Sequence, residues 1–319
     1  MSASESGGEN WERKVLEKLA TSALQEQRRS RYWGIFFKSL TFVYLFLILF
    51  IAAGWFGARE MASAGKHTAL VQVNGVISSE SASSADQIMA GLQAAFKDAN
   101  TAGVVLRINS PGGSPVQAGQ INDEIRRLRA LHPNIPLYAV VEDICASGGY
   151  YVAVAADKIF VNSASLIGSI GVLMDGFGFT GVLDKLGVER RLLTAGDNKG
   201  FMDPFSPMQP KQREYAQSML TNIHQQFIEV VKKGRGDRLK LGPEIFSGLI
   251  WTGEKSIELG LADALGSVEY VAREVIKAET IVDYTARENL AERVAKRFGA
   301  ASAEAFWTLA TGGRPGTLR

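Results

Sequence analysis

The sequence predicts an α/β protein with a mostly parallel sheet, preceded by one N-terminal transmembrane helix. Two observations predict the sheet: apolar strands alternate with amphipathic helices from residue 68 onward, and their connections are short. A third predicts the membrane helix, because the 20 residues between Lys38 and Arg59 include no charged residue. In a helix such a segment is about 30 Å long, which matches the apolar core of a bilayer.

Strands and helices alternate regularly through residues 68–142. Strands are predicted at 68–78, 103–109 and 135–142. A helix is predicted over 86–100, with four side chains toward a core: Ile88, Leu92, Ala95 and Phe96. Residues 110–132 read as a Gly-rich turn that enters a helix, with Ser114 as its cap and Pro115 at its first position. The buried stripe of that helix is expected to be Val116, Ile121, Ile125 and Leu128.

The remaining part of the chain is more helical. Two further strands are predicted at 158–162 and 165–174, and a helix is expected directly after Ser147. Further helices are predicted at 209–233, 250–266 and 267–279. The first of these is expected to bury one face: Tyr215, Met219, Ile223, Phe227 and Val230.

Residues 39–58 are predicted to be an anchor that contacts membrane lipid. Basic residues are concentrated before it: Arg28, Arg29, Arg31 and Lys38. Only Arg59 and Lys66 follow closely, so the positive-inside rule keeps the N-terminus cytoplasmic. We therefore expect a single-pass protein of the cytoplasmic (inner) membrane whose main domain is extracytoplasmic, or periplasmic. A cleaved signal peptide is the alternative, but the segment before the apolar run and the run itself are both longer than usual.

The anchor divides the chain into five expected regions. They are a cytoplasmic segment with a short amphipathic helix (1–38), the anchor (39–58), a linker (59–67), an extracytoplasmic α/β domain (68–280) and a C-terminal tail (281–319).

Composition and motifs exclude several functions. The 35 basic and 33 acidic residues nearly balance, which argues against a dedicated nucleic-acid binder. The single Cys145 cannot form an intrachain disulfide and is expected to be a small buried residue. No His, Cys and Asp cluster has metal-ligand spacing, and neither Gly-rich nucleotide motif occurs, so no metal and no cofactor are predicted.

Two glycine-containing corners follow predicted strands, where active sites of parallel sheets gather. They are Asn109-Ser110-Pro111-Gly112-Gly113 and Ala146-Ser147-Gly148-Gly149. Ser147 fits two roles there, a helix cap or a nucleophile, since N–H groups at a helix start point toward developing negative charge. The G-x-S-x-G elbow is absent because Cys145 stands where its first glycine would be, which disfavours an α/β-hydrolase.

A serine nucleophile needs a base, and the three histidines are poorly placed for that role. His67 lies in the linker, His132 ends a helix beside Pro133, and His224 is in the middle of a helix. A Ser-Lys pair remains, since a desolvated lysine can act as base. Lys199 is framed by Gly196 and Gly200 in a loop, although most loop lysines are simply solvated.

Four stretches resemble the signal peptide peptidase A family of membrane-anchored Ser-Lys peptidases. They are LRINSPGGS (106–114), DICASGGYYVAVAADKIFVNSASLIGSIGV (143–172), TAGDNKGFMDPF (194–205) and WTGEKSIELGLAD (251–263). They occur in the family's order, and the resemblance covers about two-thirds of the chain. It implies a Clp protease/crotonase-like fold, with a repeated β-β-α core and a helical C-terminal extension.

The resemblance also implies the roles of individual residues. Ser147 would be the nucleophile, Lys199 the general base and Ser169 a residue that helps orient the lysine. The N–H groups of Gly113 and Gly148 would form the oxyanion hole. From the local sequence alone, Ser169 is one more small turn residue, and Gly112-Gly113 is an ordinary turn.

The implied activity is degradation of cleaved signal peptides at the outer face of the cytoplasmic membrane. Double-length members of the family hold two such domains, whereas this chain holds one serine and one lysine of the pair. We therefore expect a ring-like homo-oligomer in which Ser147 of one subunit meets Lys199 of its neighbour.

Three other functions stay open. A peptidase of the same fold could cut segments of membrane proteins instead. A crotonase-type acyl-CoA enzyme would use the SPGG turn for a thioester oxyanion, but CoA is cytosolic while the domain is expected outside. A catalytically inactive membrane scaffold is the third.

Overall fold

A computed structural model describes residues 6–52, 65–240, 242 and 244–286. The chain divides into two compact units. The described part of the first unit is an N-terminal helix, and that of the second is an α/β domain over residues 65–286.

The N-terminal helix α1 (Ser6–Ala52) is continuous over 47 residues. It joins the predicted amphipathic helix and most of the predicted anchor into one helix, because no proline interrupts the segment. Within the described part of the chain, α1 is the one helix long and apolar enough by length and composition to cross a membrane, over Val15–Ile48. Residues 53–58 of the predicted anchor and 59–64 of the predicted linker lie outside the described residues.

The α/β domain is built on an eight-stranded sheet. Its strands are β1 (His67–Asn74), β2 (Thr101–Ser110), β3 (Leu137–Ala146), β4 (Lys158–Val161), β5 (Leu166–Gly168), β6 (Ile250–Thr252), β7 (Ala264–Leu265) and β8 (Ile281–Asp283). The order is β6-β5-β3-β2-β1-β8, with β4 pairing β3 and β7 pairing β4. All pairs are parallel except β5 with β6, which confirms the predicted α/β class.

The long strand β3 belongs to two parts of the sheet. Its first half pairs with β4 through Tyr138–Val140, and its last residues, Ile144–Ala146, pair with β5. The sheet therefore divides along β3, and the end of β3 is placed between β2 on one side and β5 on the other.

Helices cover the two faces of the sheet. They are α2 (Ala85–Lys97), α3 (Pro115–Leu131), α4 (Gly148–Ala153), α6 (Pro210–Arg235), α7 (Gly253–Glu258) and α8 (Val268–Tyr270), which continues as a π-helical turn over Val271–Ile276. The short helix α5 (Thr180–Leu186) has no buried residue. The sheet has a hydrophobic core on each face. Successive residues of β1 point to opposite faces, so Val71 packs into the larger core and Leu70 into the smaller one. The larger core includes the buried faces of α2 and α3, and the smaller one includes Val268 and Val271.

The helix α3 begins as the sequence predicts. The Ser114 hydroxyl accepts a hydrogen bond from the Gln117 N–H at 3.4 Å, and Pro115 occupies the first turn. Ile121, Ile125 and Leu128 are buried as expected. Val116 is 66% exposed, so its expected burial is wrong: the buried stripe includes Ala118, and a residue two positions away faces the opposite side of a helix.

Three predicted elements end at different residues. The strand expected over 165–174 stops at Gly168, because Gly168 and Ser169 both have positive φ. The helix expected over 250–266 begins as strand β6 and is helical only over Gly253–Glu258. The sheet continues past the domain boundary expected at 280, since β8 (Ile281–Asp283) pairs with β1.

The buried face of α6 also differs from the predicted one. Phe227 is buried as predicted, but Tyr215 is 61% exposed and Met219 lies at the surface, and the buried face also includes Val231 and Arg235. Apart from Ala216, the buried residues of α6 lie in its C-terminal half, where the helix packs on the domain.

Candidate active site

The two glycine corners meet at the edge where β2 and β3 end. Ser110 of β2 pairs with Cys145 of β3, so the turns that follow start side by side. A Cβ atom on Gly112 would lie 2.7 Å from both the Gly148 nitrogen and the Ser147 Cβ, and Gly112 has a φ of 102°. Only glycine fits that position, and the resulting close approach brings the SPGG and ASGG turns together.

Ser147 stands immediately before α4 but does not cap it. Its side chain forms no capping hydrogen bond with the helix. Its backbone has φ 51° and ψ −122°, a conformation that L-residues rarely adopt and that costs about 1–3 kcal/mol. The Ser147 N–H donates to the Gly168 carbonyl at 2.8 Å, which helps to hold this conformation. Strain of this kind is typical of functional positions.

Two backbone N–H groups lie beside Ser147. A Cβ on Gly148 would be 3.2 Å from the Gly113 nitrogen, so the two amides are close neighbours. Among the described residues, neither the Gly113 N–H nor the Gly148 N–H has a hydrogen-bond acceptor. A pair of unpaired N–H groups next to a serine hydroxyl is the arrangement that can stabilise an oxyanion.

The SPGG turn is held by Ile77, which the sequence did not indicate as part of the site. The Ile77 N–H donates to the Gly112 carbonyl at 2.8 Å, and the Ser114 N–H donates to the Ile77 carbonyl at 2.8 Å. A Cβ on Gly113 would lie 2.1 Å from the Ile77 oxygen. The segment after β1 therefore fixes the conformation of the SPGG turn. The sequence did not indicate this pairing, because Ile77 and Gly113 are about 35 positions apart.

A cavity of about 550 Å³ opens onto these groups. Ser147, Gly148, Gly113 and Ser169 all line it. Much of the remaining wall is apolar: Pro115, Ala118, Tyr151, Leu173, Ile223 and Phe227. A mainly apolar cavity with a few convergent polar groups is the usual form of a ligand site, and the volume of this one is large enough for an apolar side chain.

Ser169 is held in position by contacts with the strand β6 and the loop before it. Its N–H donates to the Leu249 carbonyl at 2.7 Å, and its φ is 52°. The ring of Trp251 packs against Gly168, where a Cβ would lie 2.7 Å from the ring. On the next residue, the Ile170 carbonyl lies 3.1 Å from Nε2 of His224. His224 therefore supports the cavity wall through a backbone contact, and the sequence offered no local signal for it.

Lys199 lies apart from the other four predicted site residues. It belongs to residues 172–209, which we call the arm, and no residue of the arm is buried. Its N–H closes a turn by donating to the Gly196 carbonyl at 3.1 Å, while its side chain is exposed. Lys199 is not among the residues that line the Ser147 cavity. The single chain thus brings together Ser147, Ser169, Gly113 and Gly148, but not Lys199.

The turn that follows Lys199 is organised by Asp203. The Asp203 carboxylate accepts a hydrogen bond from the Ser206 hydroxyl at 2.6 Å, and Nε of Arg190 lies 3.5 Å away. The Ser206 hydrogen bond is the main cause that holds the pKa of Asp203 below its ordinary value. The Asp203 carboxylate therefore holds the turn over residues 203–206 and joins it to Arg190, a role the sequence did not indicate.

The neighbouring Cys145 is fully buried, as predicted. Burial raises the pKa of its thiol far above the ordinary range, so the sulfur stays protonated. In the described ranges, no group of three or more His, Cys, Asp or Glu residues could hold a metal ion.

A family model described as peptidase family S49 matches residues 129–281. A putative signal peptide peptidase SppA of Enterococcus faecium is 30% identical over 237 residues, which are 72% of this chain and 68% of that protein. Protease 4 of Haemophilus influenzae is 30% identical over 219 residues, 67% of this chain and 35% of that protein. These matches place the chain in a family of peptidases. It belongs to peptidase family S49, the signal peptide peptidase A family, as the sequence motifs indicated.

Other similar proteins are much longer. A Brucella melitensis protein named Na(+)/H(+) antiporter NhaA is 45% identical over 177 residues, which are 56% of this chain. The chain spans 24% of the length of that protein and 25% of its Brucella abortus counterpart. The antiporter name describes those longer proteins. The mixed α/β sheet with its covering helices fits the Clp protease/crotonase-like fold that the family implies.

Proposed function

We propose that Ser147 is the nucleophile of this peptidase and that Lys199 of a neighbouring subunit is its general base. One observation carries the proposal: the Ser147 hydroxyl faces a cavity beside two unpaired N–H groups, in a strained backbone that leaves it uncapped. Lys199 does not line that cavity within its own chain. A lysine on an exposed arm can reach the cavity of an adjacent copy, so the pair is completed between subunits.

The reaction then proceeds in two stages. Oγ of Ser147 attacks the carbonyl carbon of the scissile peptide bond while the neutral amine of Lys199 takes the hydroxyl proton. The N–H groups of Gly113 and Gly148 stabilise the oxyanion, and Lys199 protonates the leaving amine. In the second stage Lys199 activates a water molecule, which hydrolyses the acyl-enzyme and regenerates Ser147. Ser169 orients the lysine from the cavity wall.

The arm supports assembly into a ring-like homo-oligomer. It carries exposed apolar side chains that a monomer leaves in water: Leu173, Phe177, Leu186 and Leu193, the last 97% exposed. Exposed apolar groups of this density mark interaction surfaces. A heterologous contact that repeats around a closed ring gives every cavity one neighbouring Lys199.

Mixing two inactive variants tests the shared pair. Ser147→Ala and Lys199→Ala subunits are co-assembled in equal amounts, and peptide hydrolysis is measured. If the pair is shared, about one quarter of the sites combine an intact serine with an intact lysine and activity returns. If each chain supplies both residues, the mixture stays inactive. Covalent labelling of Ser147 by a serine-reactive phosphonate, lost in Lys199→Ala, separates an enzyme from an inactive scaffold.

The proposed substrates are cleaved signal peptides that remain at the membrane. The name of the Enterococcus faecium relative and the apolar helix α1 support this assignment. The chain would be held by the anchor at 39–58 with its N-terminus cytoplasmic. The linker (59–67), the catalytic domain from residue 68 through β8, and the C-terminal tail beyond it would lie outside the cytoplasm.

Product identification tests the substrate class. Purified protein in lipid vesicles is incubated separately with labelled signal peptides and with intact membrane proteins. Preferential cleavage of free signal peptides supports the proposal, while cleavage of the intact proteins alone would assign the alternative function. Protease accessibility of the domain in sealed cells tests the orientation: an extracytoplasmic domain is digested by external protease, and a cytoplasmic domain is protected.

A further inference from the structure

The helix α1 carries basic and aromatic side chains that peptide hydrolysis does not use. We call them the arginine–aromatic stripe: Gln25, Arg28, Arg29, Tyr32, Trp33 and Phe36. The positions recur at helical spacing, so they share one side of α1. Together they line a shallow groove along this side of α1 that is open to solvent.

The two arginines of the stripe have unsatisfied charges. In the part of the chain that the structure describes, neither Arg28 nor Arg29 forms an ion pair or a side-chain hydrogen bond, and both are exposed. Five donors on each guanidinium are therefore free for an anionic ligand, and the planar group matches the geometry of a phosphate.

The aromatic members form an ordered cluster next to these charges. Trp33 lies edge-to-face with Phe36 at 5.8 Å between ring centroids, and it stacks on Phe37 at 5.7 Å. Tyr32, Trp33 and Phe36 are all more than half exposed, an unusual situation for large rings. Amphipathic rings in such positions are typical of the membrane–water interface.

The spacing along α1 fits the layers of a bilayer surface. Four residues separate Arg29 from Trp33, which is a rise of about 6 Å in a helix. The headgroup layer of one leaflet is about 5–8 Å thick. If the guanidinium groups of Arg28 and Arg29 lie at the level of the lipid phosphates, the aromatic rings lie at the boundary between the headgroups and the acyl chains.

We propose that the arginine–aromatic stripe is a binding site for the headgroup of an anionic phospholipid. Arg28 and Arg29 contact the phosphate, and Tyr32, Trp33 and Phe36 pack against the glycerol and the upper acyl chain. The proposal rests on the membrane anchor proposed above. Its consequence is that a bound lipid fixes the rotation of α1 about its axis as well as its depth.

The chain offers a matched control for this site. Arg31 and Lys38 belong to the same basic cluster, but at 3.6 residues per turn they lie roughly 130–150° from the centre of the stripe. Arg28→Gln/Arg29→Gln and Arg31→Gln/Lys38→Gln each remove two positive charges from one helix. A general effect of basic charge on membrane orientation depends on the number of positive charges, so both double variants would show it equally. A binding site depends on the side of α1 that the charges occupy, so only the Arg28/Arg29 variant would show its loss.

The test is native mass spectrometry of the full-length protein in detergent, titrated with phosphatidylglycerol, phosphatidylcholine or inorganic phosphate. We expect tighter binding of phosphatidylglycerol than of phosphatidylcholine. The Arg28/Arg29 double variant should bind phosphatidylglycerol roughly tenfold to thirtyfold more weakly, and the Arg31/Lys38 variant should bind it nearly as the unmodified chain does. Peptide hydrolysis should be unchanged in both variants, since neither pair belongs to the catalytic machinery.

Several outcomes would overturn the proposal. Equal losses of phosphatidylglycerol binding in the two double variants would show that only the number of positive charges matters. Full competition by inorganic phosphate would indicate a site for free anions instead of a lipid site. Equal binding of the two lipids would leave no role for the arginines. Carbonate extraction of membranes distinguishes failure of the anchor: release of the unmodified chain refutes the anchor itself, whereas retention with no lipid preference refutes only the stripe.

Discussion

The N–H of Ser147 donates a hydrogen bond to the carbonyl of Gly168, at 2.8 Å, and so ties together two residues with unusual backbone conformations. Ser147 has a φ of 51°, and Ser169, directly after Gly168, has a φ of 52°. Both serines line the same cavity. The proposed nucleophile and the proposed orienting residue are therefore held by one contact between β5 and the start of α4.

The backbone strain at Ser147 predicts that the proposed nucleophile lowers the free energy of unfolding. Ser147→Ala should abolish hydrolysis because it removes the attacking oxygen. Ser147→Gly should abolish it too, and it should be about 1 kcal/mol more stable than Ser147→Ala, since glycine adopts this φ without steric cost. Urea unfolding of the two variants measures the difference. Equal stabilities would show that the backbone conformation costs nothing.

The turn at Gly113 predicts a sharp loss of activity on adding one methyl group. A Cβ there would lie 2.1 Å from the Ile77 oxygen, so Gly113→Ala must displace the turn and its N–H. We expect kcat to fall by about 10²–10³, the usual effect of losing one oxyanion donor. Gly119→Ala on α3 is the matched control, because no atom lies within 4 Å of its added Cβ. That variant should keep full activity, as measured by peptide hydrolysis.

The Lys199 loop predicts a role for Asp203 in activity but little role in stability. Asp203→Ala removes the partner of Ser206 and Arg190, which loosens the loop that presents the proposed base. Hydrolysis should fall about tenfold or more, as misplacement of a reacting group allows. Thermal unfolding of the domain should be unchanged, because no residue of the arm is buried. Asp197→Ala, in the same exposed loop, should behave like the unmodified chain, and equal losses in both would refute the role of Asp203.

A buried ion pair predicts how stability depends on pH. Arg235 is 1% exposed and donates two hydrogen bonds to Asp263, at 2.8 and 2.9 Å. Burial acts to raise the pKa of Asp263, but the hydrogen bonds and charge of Arg235 outweigh it, and the pKa lies below its ordinary value. The stabilisation is therefore complete above about pH 4, near the unfolded value, and is lost as the pH falls through the folded-state pKa.

Two variants test this pair. Arg235→Met removes the buried partner of the half-buried Asp263 carboxylate, which keeps only the exposed Arg238 at 3.2 Å, and should cost about 3 kcal/mol. Asp263→Asn should flatten the decline in stability below about pH 4, because the titrating group is gone. Urea unfolding between about pH 2.5 and 6 measures both effects. An acid limb that is unchanged in Asp263→Asn would assign the pH dependence to other carboxylates.

Local sequence patterns predicted much of the fold, and their errors have a common origin. The strands β1 to β4, the helices α2 and α3 and the Ser114 cap depend on alternation, helical spacing and capping, which neighbouring residues determine. The strand expected over 165–174 and the helix expected over 250–266 were wrong in extent. Gly168 is confined by the Trp251 ring, and Gly253 by the Asn162 carbonyl, 1.9 Å from an added Cβ. Both constraints come from residues about 80 or more positions away.

By itself, the sequence determined that parallel strands end in two glycine corners, and that Ser147 follows the second. These features depend on short-range patterns and on motifs shared with the family. Only the tertiary structure decided that Ile77 clamps the Gly113 turn, that Leu249 and His224 support the wall beside Ser169, and that Lys199 lies apart from Ser147. Contacts between distant segments form only when the sheet assembles, so no pattern within one segment encodes them.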